Sequence, residues 1–193
     1  MRKIVASAHL TLDGVMQGPG GAEEDPSGGF DLGGWSFRFS DDDALAALIG
    51  MLGSAAMPND LLLGRKTYDI FAGFWPHAPE SPFGTAFNKA NKYVLTRGEQ
   101  ELDWANSHKL SSIGELEKVK AGEGPDIVLW GSSTLYPPLL EANLIDRLNL
   151  LICPIILGKG KKLFGNASHP VTMKLVSAES TKSGVIVARY ERI

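Results

Sequence analysis

The sequence has a single cysteine, Cys153, which excludes an intrachain disulfide. Because Cys153 lies in an apolar run, we expect a buried and inert thiol. Histidine is also scarce, and the four histidines lack the spacing of metal ligands, which argues against a metal site. They are His9, His77, His108 and His169.

An excess of positive charge is missing as well. The formal net charge is −3 and no basic tract stands out, so we expect no nucleic-acid partner. No apolar run is long enough to span a bilayer, and the run near the amino terminus is too short for a secretory signal. These absences predict a soluble, cytoplasmic protein without a membrane partner.

Three widespread motifs do not occur. The absence of GxGxxG argues against the usual NAD-binding fingerprint, and the absence of GxxxxGK[ST] argues against a nucleoside triphosphatase. Without GxSxG, the serines at 132 and 133 lack the nucleophile elbow of a hydrolase. A binding or catalytic site, if present, therefore has to be formed by residues outside these three motifs.

What is present is an apolar content of 44% over 193 residues, which predicts one domain spanning residues 1–193. Short apolar runs alternate with helical patterns, which predicts a three-layer α/β/α fold around a mixed, mostly parallel sheet with a C-terminal antiparallel hairpin. The predicted strands cover 3–12, 60–64, 92–96, 126–130, 147–157, 171–181 and 184–193. The predicted helices cover 41–57 and 112–121 and two stretches that begin at 65 and near Leu135.

Residues 13–39 hold eight glycines and two prolines, a composition typical of an irregular segment. Four aromatic residues in it indicate that the segment packs on the domain rather than linking two domains. They are Phe30, Trp35, Phe37 and Phe39. Ser40 and the three aspartates after it predict a helix start with Ser40 as N-cap. The apolar face of that helix would comprise Leu45, Leu48, Ile49 and Leu52.

Three predicted strands end in small or hydroxyl-bearing residues, at the edge where open parallel sheets bind ligands. These junctions are 64–67, 96–98 and 131–133. Arg65 and Arg97 can form forked bonds to a phosphate, and a helix start presents free N–H groups. Small residues also have a local explanation, because they turn the chain and cap helices. Three junctions in one sheet, two of them with arginine, favour a dinucleotide.

Four stretches resemble the dihydrofolate-reductase-like family, in the branch of the reductase domain of the riboflavin-pathway bifunctional deaminase–reductase. They are SAHLTLDGVM (7–16), LLLGRKTYDIF (61–71), KYVLTR (92–97) and IVLWGSSTLYPPLLEANLIDRLNLLICPIILGKGKKLF (127–164). The resemblance covers essentially the whole chain. It implies an NADPH-dependent reductase with about eight strands, which pairs into homodimers.

The same resemblance implies positions for the cofactor. Gly64, Arg65 and Thr67 would hold the phosphate side of the adenosine. Leu95, Thr96 and Arg97 would close over the adenine ribose and its 2′-phosphate. The pyrophosphate would approach Gly131, Ser132 and Ser133, and the contact would continue along Leu135 and Tyr136. Asp146-Arg147 stands where the riboflavin-pathway enzymes usually have Asp-Glu, which indicates a different substrate.

Asp13 is the candidate for the catalytic or substrate-orienting group, because the family's equivalent aspartate borders the substrate pocket. Asp-Gly is also a common turn pair, and the residues alone do not decide between these roles. Lys159, Lys161 and Lys162 could attract a phosphorylated substrate, but the preferred interpretation is a solvated basic turn. The predicted activity is NADPH-dependent reduction of a small heterocyclic or carbonyl compound. The alternative is a nucleotide-binding protein of the same fold without turnover.

Overall fold

One eight-stranded sheet organises the computed structural model, which describes residues 1–52, 58–165 and 170–193. Its spatial order is β4-β3-β2-β5-β1-β6-β8-β7. The strands are β1 (Ile4–Thr11), β2 (Asp60–Gly64), β3 (Lys92–Leu95), β4 (Ser107–Leu110), β5 (Ile127–Trp130), β6 (Arg147–Cys153), β7 (Met173–Ser180) and β8 (Ile186–Arg192). The helices are α1 (Asp42–Leu52), α2 (Arg65–Phe74), α3 (Pro82–Lys89), α4 (Ile113–Ala121) and α5 (Tyr136–Glu141).

The sheet is mixed, as predicted. The six strands from β4 to β6 run parallel, whereas β8 pairs antiparallel with both β6 and β7. The β7–β8 turn contains Lys182, Ser183 and Gly184, where Thr181 N donates to the Val185 carbonyl at 2.9 Å. The predicted fold class and C-terminal hairpin are therefore confirmed.

Alternation along β1 divides the core between the two faces of the sheet. Ile4, Ala6, Ala8 and Leu10 pack on one face with residues of α4 and α5. The other face carries two separate clusters, one built on α2 and α3 over β2 and β3, and one built on α1 over β6 and the start of β8. Trp130 packs against both clusters. The strip of β1 between them therefore carries the polar residues Ser7, His9 and Thr11.

The start of α1 differs from the prediction. The side chain that caps the helix is Asp41, whose Oδ1 accepts from Ala44 N at 2.7 Å, and not Ser40. A carboxylate suits this position because it also meets the positive end of the helix dipole. Ser40 itself is exposed and lies in extended chain before the helix.

The predicted apolar face of α1 is also wrong in part. The side chains of Leu45 and Ile49 are exposed, and the helix instead packs through Ala44, Ala47, Leu48 and Met51. The packed face is thus shifted by about one residue from the predicted face. Met57, the predicted end of the helix, lies outside the described residues, as does His169.

Other element boundaries differ from the prediction for identifiable reasons. Helix α3 and strand β4 are absent from the prediction, since Pro82 and the polar sequence of β4 hide them. The N-cap Ser81 accepts from Gly84 N at 3.0 Å, which lets Pro82 start α3. The strand predicted over 147–157 ends at Cys153, because Pro154 has no N–H for a ladder bond.

The amino-terminal edge of the parallel strands is held by buried ion pairs. Arg2 pairs with Asp60, and Lys120 pairs with Asp146, whose Oδ2 also accepts from Ile4 N at 2.8 Å. Arg147 pairs with Glu191 of β8. Asp146-Arg147 thus lies at the edge opposite to the carboxyl ends of β1 and β5. The expectation that Arg147 alters the substrate loses its basis, because the residue is used for sheet pairing.

The glycine-rich segment 13–39 packs on the domain, as predicted from its aromatic residues. Phe30 and Trp35 are buried, and Trp35 Nε1 donates to the Gln17 carbonyl at 2.8 Å. Phe37, however, is 64% exposed. None of the helices in the described ranges is long and apolar enough to cross a membrane.

Candidate functional site

A cleft opens at the carboxyl edge of the sheet, above the strip of β1 that separates the two clusters. Its floor includes Ser7, Ala8 and His9 of β1 and Trp130 of β5. Its walls are the turns after β2 and β5, part of the glycine-rich segment, and Lys161. The cleft follows from the fold, because helices α1 and α2 sit on either side of β1.

The two turns that form one wall are bonded directly to each other. Ser132 Oγ accepts from Gly64 N at 2.8 Å, and Ser132 N donates to Thr67 Oγ1 at 3.1 Å. Gly131 has a φ of 62°, and a Cβ built on it would lie 3.1 Å from Thr67 Cγ2. Ser132 is itself left-handed, with a φ of 55°. The small residues are therefore needed so that the turn after β5 can rest against the start of α2.

The helices that open onto the cleft differ from the others in their caps. The first-turn amides of α2, and those of the short 3-10 turn Ser133–Leu135 that leads into α5, have no side-chain cap. In contrast, Asp41, Ser81 and Ser112 cap α1, α3 and α4. Unpaired N–H groups at the start of a helix favour the binding of an anion. Both uncapped starts face the same cleft.

Charged side chains bridge the mouth of the cleft. Asp25 of the glycine-rich segment pairs with Lys66 of α2 and with Lys161, whose Nζ lies 2.7 Å from Asp25 Oδ2. Gln17 Oε1 accepts from Lys161 N at 2.9 Å, which ties the same segment to the turn after β6. Lys161 is thus solvated, with a side chain that is 42% exposed, and it also lines the cleft.

A second pocket lies on the other side of His9, under the start of α1. Its walls are largely apolar and include Phe39, Leu45, Leu48, Leu151 and Val185. Polar residues in its lining are Ser36, Ser40, Asp41 and Asp42. We call it the α1 pocket. His9 lines both this pocket and the cleft.

The structure brings together six of the eleven predicted cofactor residues. Gly64, Arg65, Thr67, Gly131, Ser132 and Ser133 all line the cleft. Leu95, Thr96, Arg97, Leu135 and Tyr136 do not. Leu135 and Tyr136 are core residues, and Tyr136 donates its hydroxyl to the Ser7 carbonyl at 3.4 Å. Thr96 Oγ1 accepts from Gly98 N at 3.0 Å and so shapes the turn after β3.

The two arginines at the strand ends are in different situations. Arg65 Nε lies 2.8 Å from Asp69 Oδ1, and its Nη1 donates to the carbonyls of Gln100 and Glu101. Arg97 is exposed and has no hydrogen-bond partner among the described residues. Only Arg97 therefore has its whole guanidinium available for a ligand.

Asp13 lines neither cavity, and its carboxylate is fully engaged. It accepts from Thr11 Oγ1 at 2.6 Å and from the amides of Leu157 and Gly158 at 3.2 and 2.9 Å. The hydrogen bond from Thr11, followed by those from the two amides, lowers the pKa of Asp13 to about 2. A carboxylate held in this way anchors the turn after β6. Its catalytic role stays a prediction.

Several lining residues were not singled out from the sequence, among them Ser7, His9, Gln17, Asp25 and Trp130. A usable signal exists for two of them. Ser7 and His9 alternate with apolar residues inside a buried strand, which marks one face of β1 as polar. The others come from distant segments that only the fold joins. The described residues contain no cluster of histidine, cysteine or acidic side chains able to hold a metal ion.

Comparison with solved structures assigns the fold to the dihydrofolate reductase class. A putative riboflavin biosynthesis protein from Shewanella sp. PV-4 superposes with a TM-score of 0.68 at 17% identity, covering 99% of both chains. A pyrimidine reductase-like protein from Corynebacterium diphtheriae gives 0.65 at 16% identity, covering 100% of this chain and 92% of that one. Dihydrofolate reductase from Enterococcus faecalis, complexed with NADP(H), gives 0.61 at 17% identity, covering 98% and 96%.

The family follows from the sequence. The model of the RibD C-terminal domain matches residues 2–187, and the chain belongs to this family. A Bacillus subtilis (strain 168) protein, the uncharacterized protein YyaP, is 27% identical over 197 residues, covering 98% of this chain and 94% of that protein. The predicted family relationship is confirmed.

The contact between the two turns can be tested through Gly131. We expect Gly131→Ala to destabilise the protein through the left-handed backbone, at about 1–2 kcal/mol, and through crowding of Thr67, at about 1–3 kcal/mol more. Gly28→Ala is the matched control, because Gly28 has a φ of 70° and a Cβ added there would meet no atom within 4 Å. Unfolding in urea measures the free energy of unfolding of both variants and of the parent protein. Thr67→Ser should recover part of the Gly131→Ala loss, and equal losses in the two alanine variants would contradict the contact.

The anchoring role of Asp13 makes a prediction about pH. Its pKa lies below the ordinary value of 3.8, so its contribution to stability is complete above about pH 4 and is lost as the pH falls towards 2. Asp13→Asn should lower the melting temperature at pH 7, because an amide nitrogen would face an N–H donor. The difference from the parent protein should shrink in acid. An Asn variant that is as stable as the parent but has lost turnover would instead identify Asp13 as a catalytic or substrate-orienting residue.

Proposed function

We propose that this chain is an NADPH-dependent reductase that acts on a small heterocyclic or carbonyl compound, with residues 1–193 forming one reductase domain. The observation that carries the proposal is the pair of uncapped helix starts, α2 and the turn 133–135, which face one cleft at the carboxyl edge of a parallel sheet. Membership of the RibD C-terminal domain family supports a reductase-type activity. The structural relative from Enterococcus faecalis is complexed with NADP(H), which supports the choice of cofactor.

The residues of the cleft suit a dinucleotide. The amides at the start of α2 and of the turn 133–135 can donate to phosphate oxygens, and Gly131 leaves room for a close approach to the backbone. Lys66 adds a cation at the rim. A bound reduced nicotinamide supplies the hydride. The protein binds the phosphates, excludes water with the glycine-rich segment and orients the acceptor.

The α1 pocket is the proposed place of the acceptor. It adjoins the cleft through His9, so that a molecule in the pocket would lie next to a molecule in the cleft. Its apolar walls suit the faces of a flat ring, and Ser40 and Asp42 in its lining are residue types that can accept from N–H donors on the ring edge.

A preference for NADPH over NADH tests the cofactor assignment. Since Arg97 has its whole guanidinium available, we expect Arg97→Ala to weaken the binding of NADPH by roughly tenfold or more and to change the binding of NADH little. This is the effect expected from the loss of a charge-assisted hydrogen bond worth about 1.5–3 kcal/mol. Arg38→Ala is the control, because Arg38 is likewise an exposed arginine and lines neither cavity. Calorimetric titration of both cofactors measures the preference.

Equal affinity of the parent protein for the two cofactors would contradict the assignment. NADPH oxidation in the presence of pterins, deaminated pyrimidines and quinones then separates the proposal from its alternative. A protein that binds NADPH and oxidises it with none of these acceptors would be a nucleotide-binding protein without turnover.

We also propose that the protein forms a homodimer through the edge of its antiparallel hairpin. Strand β7 is the edge strand, and Leu175, Val176 and the neighbouring Ile186 are 52%, 55% and 41% exposed. An apolar edge of this kind favours pairing with a second copy. Light scattering should give twice the mass of the chain. The variant Val176→Lys should shift the measured mass towards that of a monomer. The control Phe37→Lys, at an exposed site outside the sheet, should leave the mass unchanged. A monomer at micromolar concentration would overturn the proposal.

A further inference from the structure

His9 is a partly buried ring at the one place where the cleft and the α1 pocket meet. It is in the middle of β1, opposite Leu151 of β6, and its ring meets that of Trp130 edge to face, with centroids 6.5 Å apart. A rigid central strand and a large neighbouring ring thus fix its position.

The polar neighbours of His9 on the same face of β1 have their hydrogen bonds within the protein. Ser7 Oγ lies 3.4 Å from Asn149 Nδ2, and Thr11 Oγ1 donates to Asp13 and accepts from Val15 N. The two ring nitrogens of His9, in contrast, have no hydrogen-bond partner within the described ranges. A polar ring inside a strand, with its neighbours paired and itself unpaired, is arranged for a partner that is not part of the fold.

We propose that His9 is a substrate-contacting residue, which hydrogen-bonds a ring nitrogen or carbonyl oxygen of a flat heterocycle held in the α1 pocket, beside the cofactor cleft. The inference rests on the proposed function for the identity of the molecule in the cleft. Burial lowers the pKa of His9 to about 4. The ring is therefore neutral at pH 7 and offers one donor and one acceptor. A neutral imidazole can polarise a carbonyl by donating its N–H as a hydrogen bond to the oxygen.

The imidazole NMR signals of the protein test this contact directly. His9→Gln identifies the His9 signals by their loss, and the signals of His77 and His108 serve as internal controls. Isocytosine is the probe, because it is a flat ring with N–H donors, a ring nitrogen and a carbonyl. NADP⁺ is the second ligand. We expect isocytosine to shift the His9 ring nitrogens and to leave His77 and His108 unchanged, with or without NADP⁺.

Two variants then measure the contribution of the hydrogen bond. His9→Phe keeps a ring against Trp130 but removes both nitrogens. It should weaken the binding of isocytosine roughly three- to tenfold, which is the effect of losing one hydrogen bond. His9→Gln keeps a donor and an acceptor and should retain most of the affinity. Because His9 also lines the cleft, the affinity for NADPH is measured separately on both variants, and isocytosine affinities are compared without cofactor.

The possible failures are distinguishable. If NADP⁺ binds but isocytosine leaves the His9 signals unchanged, the role of His9 is overturned and the proposed reductase stands. If isocytosine shifts His9 but NADP⁺ does not bind, His9 keeps its role and the proposed cofactor is wrong. If neither ligand binds, both proposals fall.

Discussion

The hydrogen bonds of Ser132 to the start of α2 are the contact on which the site depends. Through them the turn after β5 and the turn after β2 become one surface, although 68 residues separate Gly64 from Ser132 in the chain. The contact requires Gly131, because a Cβ there would meet Thr67. It also leaves the amides at the two helix starts without side-chain caps, facing the same space. A structural contact between two turns thereby creates the wall of the cleft that we propose binds phosphate.

The second constraint is the division of one sheet face into two hydrophobic clusters. Helix α2 covers β2 and β3, helix α1 covers β6 and the start of β8, and β1 lies between them. The strip over β1 is bordered by Trp130 and covered by the glycine-rich segment. The ion pairs of Asp25 with Lys66 and Lys161 hold this segment in place. Since His9 is on this strip, the cleft and the α1 pocket share a wall. A cofactor and an acceptor bound in the two cavities would meet there.

The sequence was sufficient for the architecture and for part of the site. Strands such as DLLLG and IVLW are apolar on both faces, so these strands and their parallel direction could be predicted, and the glycine and serine turns after them were found. The polar strand β4 and helix α3 were missed. Part of what failed depends on contacts between distant residues. The bonds of Arg65 to the carbonyls of Gln100 and Glu101 and the bonds of Asp13 to 157–158 have no local signature. The capping of α1 by Asp41 and the pairing of Arg65 with Asp69 are local contacts, for which the sequence offered several neighbouring candidates. His9 was visible only as a polar residue in a buried strand.

The central claim is that the helix starts at 65–67 and 133–134 hold the phosphates of a dinucleotide. Amide hydrogen exchange, read by mass spectrometry with and without NADPH, tests it most directly, because a bound phosphate would protect the free N–H groups of these two turns. The account predicts that NADPH slows exchange in both turns together and leaves the amino-terminal edge around Arg2 and Asp146 unchanged. Protection confined to other segments, or none at saturating NADPH, would contradict it.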